Sequence, residues 1–324
     1  MTPTRFLASC TLAFSALLPA VSAQAAGYPD HPIRLIVPTS PGSTADVVAR
    51  VVAENLGKAL AQPLIVENLA GAAGIPGTRQ LVAAKPDGYT LAIVSSNHAI
   101  NPSLYKSMPY DSVKDITPIS VIGTTPLVVV VAENSPYRTI GDLLAAARAQ
   151  PGKINYGSSG NGSVLHLAGE LLKSKAGVSM MHIPYRGGNA LITDVMSGQI
   201  QVAFLAVPSV LAQVQAGKLR ALAVSTPTRV AALPDVPTLD ESGVKDYSYD
   251  AWISLIGPAK LPDDIVRTLQ AATQRTMASA AVLNTLSPQG FVAQGSSAEQ
   301  AAETLNAEIR KSQALVKAAA VTPE

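Results

Sequence analysis

Apolar strand-like segments and amphipathic helix-like segments alternate along almost the whole chain after its first 25 residues. Ile33–Val37 is an apolar run, and residues 44–62 follow it with apolar side chains at helical spacing. Such alternation predicts an α/β protein with mainly parallel sheets and helices on both faces. Because ligands bind beyond the carboxyl ends of the strands in such sheets, we expect a site in the turns at those ends.

Two of these turns are rich in glycine and in hydroxyl side chains. The first covers residues 39–46 and follows Ile33–Val37, and the second covers residues 157–163 and follows a short strand-like segment at 154–156. The first amides of a helix lack partners, and its dipole makes that end positive. Glycine also lets a ligand approach the backbone closely. The two turns therefore predict a site that holds a small anion without Lys or Arg.

Other parts of the chain are less regular. Residues 80–85 predict a short helix, and Pro102, Pro109 and Pro118 predict a long irregular stretch. Residues 226–249 are rich in proline and polar side chains, as expected of a segment that crosses between two lobes. Further strands are expected at residues 64–67, 90–94, 127–131, 181–183, 202–205, 221–224 and 251–257.

The N-terminus has the pattern of an export signal. Arg5 precedes a mostly apolar run at residues 6–21, and small residues around Ala23 and Ala25 offer cleavage sites. We expect cleavage after Ala25 and a periplasmic location; the alternative is a membrane anchor, for which the run is short. Cys10 is the only cysteine, so the exported chain is expected to have no disulfide.

Composition argues against several classes of protein. The formal charge of +2 falls to +1 once Arg5 leaves with the signal, and no basic run suits nucleic acid. The histidines His31, His98, His166 and His182 lack the spacing of a metal pair, so no metal site is expected. The chain has neither a G-x-S-x-G elbow nor a complete dinucleotide fingerprint. We therefore expect no cofactor and predict no catalytic residue.

Side chains in the two turns can serve the ligand or only the fold. We expect Asp46 to cap the helix that follows the first turn and to hold its loop rigid behind the site. In the second turn, Ser158, Ser159, Asn161 and Ser163 are expected to donate to a carboxylate. The alternative for this second group is an ordinary polar turn.

A third candidate segment, Tyr185–Gly188, follows the predicted strand at 181–183. Arg186 either pairs with a carboxylate or is a solvated surface charge. The hydroxyl of Tyr185 and the glycine pair are better candidates for ligand contact. His166, in the first turn of a predicted helix, either faces the ligand or packs, and His182 is expected to be buried and hydrogen-bonded.

Taken together, these motifs resemble those of one family. The first half contributes residues 37–46 (VPTSPGSTAD) and 86–90 (PDGYT), and the second half contributes residues 157–170, 184–188 (PYRGG) and 233–238 (LPDVPT). Over essentially the whole exported chain the sequence resembles the Bug proteins, the periplasmic solute-binding receptors of tripartite tricarboxylate transporters. The resemblance implies a type II periplasmic binding protein whose two lobes close on the ligand like a Venus flytrap, with two segments crossing between them.

The resemblance also implies a division of the chain, a ligand and a partner. A signal peptide at 1–25 is followed by lobe one, residues 26–125 with 250–324, and by lobe two, residues 126–249. The ligand is a small organic acid, the partner is the membrane part of the transporter, and we expect a monomer. The implied contacts are Gly42, Ser43, Thr44, Ser96 and Asn97 in lobe one, and Ser158, Ser159, Asn161, Ser163, Tyr185, Gly187 and Ala206 in lobe two.

The chain departs from the family pattern at two positions. Ser43 stands where the family usually has the second of two adjacent glycines, which adds a hydroxyl to the first turn. Residues 205–207 are apolar where many relatives carry a polar or acidic residue. We therefore expect Ala206 to offer no partner to a ligand ammonium, and the site to prefer an acid without one. The alternatives to an uptake receptor are a ligand sensor and a periplasmic enzyme acting on small organic acids.

Overall fold

A computed structural model describes residues 27–185, 187–319 and 321. The described residues form eleven β-strands and ten α-helices. The predicted signal peptide and its predicted cleavage site lie outside the described residues. The strands are β1 (Ile33–Val37), β2 (Leu64–Asn68), β3 (Thr90–Ser95), β4 (Ile116–Thr125), β5 (Leu127–Ala132), β6 (Asn155–Ser158), β7 (Met181–Pro184), β8 (Val202–Ala206), β9 (Leu219–Val224), β10 (Ala251–Pro258) and β11 (Val292–Ala293).

Side-chain caps explain where several of the helices begin. Ser43, Thr139, Ser163, Ser279 and Ser297 each accept a hydrogen bond from the amide three residues later, which satisfies one of the free amides of a helix start. The helices are α1 (Thr44–Leu60), α2 (Ile75–Val82), α3 (Asn97–Leu104), α4 (Ile140–Ala149), α5 (Val164–Ala176), α6 (Gly188–Met196), α7 (Val207–Gln215), α8 (Asp263–Met277), α9 (Ala280–Leu286) and α10 (Ala298–Ala318).

The strands form two sheets, as the alternation predicts. The first has the order β11-β4-β10-β3-β1-β2, and the second has the order β7-β6-β8-β5-β9. In the first sheet, β1 is parallel to β2 and β3, and β10 is antiparallel to β3 and β4. In the second sheet, β6 is parallel to β7 and β8, and β5 is antiparallel to β8 and β9. The sheets are therefore mixed rather than mainly parallel. The reason is that β5 and β10 each enter their sheet from the other lobe, and antiparallel pairing needs no crossover helix.

Each sheet has its own apolar core. In β1, Ile33, Leu35 and Val37 point to one face and belong to a core with α1 and α8. Ile36 points to the opposite face, where it joins a smaller core with Trp252. This alternation follows from the two-residue period of a strand. Because both faces of β1 are buried, its residues are apolar on both faces, and the strand reads as a continuous apolar run in the sequence.

The chain passes between the two sheets at two places that lie close together. A single residue, Pro126, separates β4 from β5, and residues 225–250 return from β9 to β10. Ser225 Oγ accepts a hydrogen bond from the Leu127 amide (2.9 Å) and donates to Asp250 Oδ1 (2.7 Å). This buried hydroxyl therefore joins the outgoing segment to the returning one.

The C-terminal helix α10 contacts both cores. Leu305, in its first half, packs in the smaller core of the first sheet. Val316, near its end, belongs to the core of the second sheet, and Leu315 packs against the same core. Between them, Lys311 Nζ donates to the Ser248 carbonyl (3.1 Å). The lobes are therefore joined by this helix as well as by the two crossing segments.

Two expectations for the first lobe are wrong. The helix expected at 80–85 is α2, which begins earlier because Gly74, in a left-handed conformation (φ +87°), starts it. The stretch expected to be irregular contains α3, with Pro102 inside it, and β4, with Pro118 inside it. Pro118 is tolerated because β11 pairs only with the far end of β4, which leaves an open edge beside the proline.

Candidate functional site

The first glycine- and serine-rich turn joins β1 to α1 and is held by one buried carboxylate. The Gly42 amide donates to Asp46 Oδ2 (2.8 Å), and the Asp46 amide donates back to Ser43 Oγ (3.3 Å). Gly42 has φ +77°, a conformation that favours glycine. The Ser43 amide donates to the Ser40 carbonyl (3.2 Å). The turn is thus closed by the first residues of the helix that it starts.

Asp46 is ionised in spite of being only 2 % exposed. Burial alone would raise its pKa, but hydrogen bonds from Arg50 (3.1 Å), the Gly42 amide and Asn68 Nδ2 (2.9 Å) outweigh burial and hold the pKa below its ordinary value. Its charge is therefore balanced inside the protein. Asp46 holds the turn through the Gly42 amide, but the expectation that it caps α1 is wrong, because the residue that caps this helix is Ser43.

The second turn, between β6 and α5, repeats this arrangement with a histidine in place of the aspartate. The Gly162 amide donates to His166 Nδ1 (2.9 Å), and the His166 amide donates to Ser163 Oγ (3.3 Å). Gly162 has φ +68°, and the Ser163 amide donates to the Gly160 carbonyl (3.2 Å). Because Nδ1 accepts a hydrogen bond, the ring proton of neutral His166 lies on Nε2.

Both turns leave the same two amides of their helix available. The amides of Gly42, Ser43, Gly162 and Ser163 are used within the turns. No described residue accepts a hydrogen bond from the next two amides in either lobe. These amides are hydrogen-bond donors at the positive end of a helix dipole, and they suit an anionic ligand atom. They belong to Thr44 and Ala45 in lobe one, and to Val164 and Leu165 in lobe two.

Two of the predicted contact hydroxyls point into the protein. Ser96 Oγ accepts from the Trp252 amide (2.9 Å) and so ties the end of β3 to β10. Ser158 has no exposed surface, and its Oγ lies 2.6 Å from His182 Nε2 and accepts from the Gly160 amide (3.2 Å). These hydroxyls support the turns around them.

The remaining predicted contacts lie nearer the surface. Ser159, Asn97 and Ala206 are half-buried, and Asn161 and Gly187 are exposed. Thr44 is also half-buried, while Gly42 is exposed. In the second lobe, Arg186 falls outside the described residues, so the choice between its two predicted roles stays open.

Hydroxyls of three further predicted contacts already have protein partners. Ser43 Oγ lies 2.8 Å from Thr39 Oγ1, and Ser163 Oγ donates to the Gly160 carbonyl (2.8 Å). The Tyr185 hydroxyl donates to Asp194 Oδ2 (2.6 Å), and burial together with this carboxylate raises its pKa to about 12. The hydroxyls thus contribute to the rigidity of the site, and the free amides contribute its positive potential.

Ala206 lies at the junction of β8 and α7 and has no polar side chain to offer. Its carbonyl accepts a hydrogen bond from Ser209 Oγ (2.7 Å). The position is half-buried. A ligand ammonium placed here would lose its hydration without gaining a charged partner.

A buried cluster of titratable side chains lies beneath the second turn. The rings of His166 and His182 stack with centroids 3.7 Å apart. Lys173 and the Tyr156 hydroxyl both donate to Glu170. Burial raises the pKa of Glu170, but its hydrogen bonds outweigh burial and hold the value at about 2. Burial, with a smaller contribution from His166, lowers the pKa of His182 to about 4.

Ser158 and His182 are residue types that can act as a nucleophile and its general base, but a substrate has no access to Ser158. A nucleophile needs a substrate within reach, and Ser158 is completely buried.

The described residues also contain no group of three or more His, Cys, Asp or Glu side chains placed to hold a metal ion. Among these same residues, no helix is both long enough and apolar enough to cross a bilayer.

The two lobes meet beside the two turns. In lobe two, Gly162 packs so closely on Leu104 of lobe one that a methyl group at this glycine would overlap the leucine side chain. Gly42 and Thr44 share a cavity with Pro208 and Ser209, which begin α7 just after Ala206. Gly42 and Thr44 therefore lie beside the segment that follows Ala206 in the other lobe, and Gly162 of the second turn lies beside Leu104 of lobe one.

Two supporting residues of the first turn were not predicted as part of the site. Arg50 and Asn68 both bind Asp46, and Asn68 Nδ2 also donates to the Thr39 carbonyl (3.1 Å). Asp46 and Arg50 are four residues apart on a helix, and this spacing brings side chains of opposite charge together. The spacing is therefore the sequence signal for Arg50. Asn68 is the last residue of β2, which runs parallel to β1. It therefore lies at the same edge of the sheet as the first turn.

Comparison with known proteins gives a consistent result. The family model described as "Tripartite tricarboxylate transporter family receptor" matches residues 48–321. Protein BugT of Bordetella pertussis is 34% identical over 292 residues, which cover 90% of this chain and 90% of that protein.

Solved structures match over nearly the whole chain. An R. palustris protein with adipate has a TM-score of 0.83 at 30% identity and covers 92% of this chain and 100% of its own. MatC from Rhodopseudomonas palustris, with bound malate, has a TM-score of 0.77 at 25% identity and covers 89% of this chain and 100% of its own. The expected two-lobed α/β fold is confirmed by these structures.

We expect the protein to lose stability as the pH falls from 6.5 to 4. Because the pKa of His182 drops from its ordinary 6.5 to about 4 on folding, the unfolded chain binds a proton in this range that the folded chain does not. His98, shifted equally by burial, adds to the effect. Urea unfolding of the wild type and of His182→Gln at pH 4.5 and pH 7 measures this loss of free energy of unfolding. A variant whose free energy of unfolding falls as much as that of the wild type would contradict this role of His182.

Proposed function

The chain belongs to the family of tripartite tricarboxylate transporter receptors, and from this premise we propose that it captures a small organic carboxylate between its lobes. We further propose that it works in the periplasm, after cleavage near Ala25, and delivers the acid to the membrane components of such a transporter. The observation that carries the proposal is the repeated turn. Gly42 with Asp46, and Gly162 with His166, hold two helix starts with free amides at the interlobe region.

The mechanism is closure of the lobes on the ligand. An acid that bonds donors of both lobes makes more contacts in the closed state than in the open one, and this difference shifts the population toward closure. A hydrogen bond to a charged group contributes roughly 1.5–3 kcal/mol, which is offset by desolvation and by the entropy of association. The rigid turns keep that entropic loss small.

The proposed lobes are residues 26–125 with 250–324, and residues 126–249. This division is supported by the two sheets, because every strand of the first sheet lies in one set and every strand of the second sheet lies in the other. Pro126 and residues 225–250 are the proposed hinge. We propose that the receptor acts as a monomer, with both walls of its site supplied by one chain.

The proposed contacts combine the free amides with the predicted residues around them. The amides of Thr44 and Ala45 receive the acid in lobe one, and those of Val164 and Leu165 receive it in lobe two. Apolar Ala206 disfavours ligands that carry an ammonium group. The surrounding surface of the site is assigned to Gly42, Ser43, Asn97, Ser159, Asn161, Ser163, Tyr185 and Gly187.

Thermal-shift screening of mono-, di- and tricarboxylates tests this function. At least one acid is expected to raise the melting temperature, because a ligand that binds only the folded state stabilises it. In calorimetry, succinate is expected to bind more tightly than aspartate, which differs from it by an ammonium group. Mass spectrometry should recover the acid unchanged. Binding of no acid, or turnover of a bound one, would contradict the proposal.

Asp46→Ala is expected to weaken acid binding at least tenfold, because it frees the Gly42 amide and the turn around it. The matched control is Asp142→Ala. Asp142 is also the third residue of its helix, α4, and accepts from the amides of Arg138 (3.0 Å) and Thr139 (2.9 Å), but it is exposed and lies in lobe two, away from the first turn. Each substitution is expected to lower the free energy of unfolding by about 1–2 kcal/mol. Calorimetry with an acid from the screen compares the two, and equal affinities in both variants would contradict the role of Asp46.

A further inference from the structure

A second feature of the interlobe region is an apolar pocket next to the first turn. It has a volume of about 140 Å³. This is close to the volume of an engineered cavity of about 150 Å³ that binds benzene. The apolar side chains that line the pocket are Val47, Val48, Pro208, Leu286 and Phe291.

Three of the apolar side chains that line the pocket belong to the core of lobe one. Val48, Leu286 and Phe291 are between 1 and 3 % exposed and are part of the core between the first sheet and α1. Val47, on the same helix as Val48, is 36 % exposed. A valine left exposed inside a pocket has apolar surface to bury, and a ligand that covered it would gain affinity by the hydrophobic effect.

The lid of the pocket belongs to lobe two. Pro208 and Ser209 line it from the start of α7. Beside them, Gly290 of lobe one packs against Val207, because a methyl group at this glycine would lie 2.6 Å from a Val207 methyl. The pocket is therefore complete only when the lobes are together, and an occupant would contact both.

Gly42, Thr44 and the polar residue Gln289 complete the lining of the pocket. The Thr44 amide is one of the donors that no described residue occupies. None of the residues lining the pocket is charged. An acid whose carboxylate binds the first turn would thus have an apolar space within reach for the rest of the molecule.

We infer that the ligand is a carboxylate with an apolar group of about the size of a benzene ring, and that this group occupies the pocket. The inference rests on the proposed function, because it requires the carboxylate to bind at the first turn. It names Val47 as a specificity-determining residue and Pro208 with Ser209 as the wall that closes on the apolar group.

Calorimetry of the exported protein with acetate, butyrate, hexanoate and benzoate tests the inference. Affinity is expected to rise about fourfold for each buried methylene, so hexanoate binds about 100-fold or more tightly than acetate. Val47→Phe fills the pocket and is expected to abolish this gain while acetate still binds. Ser209→Phe, which fills the pocket from lobe two, is expected to do the same.

The matched control is Val113→Phe. Val113 is 38 % exposed, close to the exposure of Val47, and lies in the turn before β4 outside the pocket lining. It is expected to leave the whole series of affinities unchanged. Equal affinities for acetate and hexanoate, or a gain that survives in both filling variants, would overturn the inference and leave the proposed function standing. Failure of every acid to bind would overturn both.

Discussion

The hydrogen bond from a glycine amide to the third residue of the following helix is the interaction on which the site depends. It occurs between Gly42 and Asp46 in lobe one and between Gly162 and His166 in lobe two. In each case the bond turns the glycine amide away from solvent and fixes the left-handed conformation that only glycine adopts easily. The two amides after the capping serine are thereby left free, and the helix start keeps its positive potential.

The two turns reach the same geometry with different chemistry. Asp46 is an anion balanced by Arg50 and Asn68, whereas His166 accepts through its ring nitrogen Nδ1 and stacks on His182. An acceptor is needed at this position, but a second anion beneath the lobe-two turn would lie close to Glu170, which His166 Nε2 approaches at 3.7 Å. An imidazole nitrogen supplies the acceptor without placing a second carboxylate there, and so avoids that like-charge repulsion.

Much of the architecture could be predicted from the sequence, because the core strands are apolar runs bounded by turns and α1, α4 and α5 start at capping residues. Residues 44–62, for example, were expected to be helical, and α1 covers Thr44–Leu60. What could not be predicted depends on pairing in space. Pro118 lies in a strand because β11 covers only part of β4, and the antiparallel placement of β5 and β10 follows from their entry from the other lobe.

The same distinction holds for the site. The glycine and serine residues of both turns indicated their place in the sequence, whereas Asp46 was expected to cap α1 and the cap is Ser43. The sequence did not indicate which hydroxyls face inward. Ser96 and Ser158 are hydrogen-bonded to Trp252 and His182, and these contacts join residues far apart in sequence. The apolar pocket left no signal in the sequence, because Val47 and Phe291 are distant along the chain and meet only in the fold.

A crystal structure of the protein with a bound acid is the most direct measurement of this arrangement. The predicted result is an acid whose oxygens lie about 3 Å from a free amide in each lobe, at Thr44 or Ala45 and at Val164 or Leu165, with Gly42 and Gly162 still bonded to Asp46 and His166. An acid bound elsewhere, with these four amides occupied by protein atoms, would contradict the account.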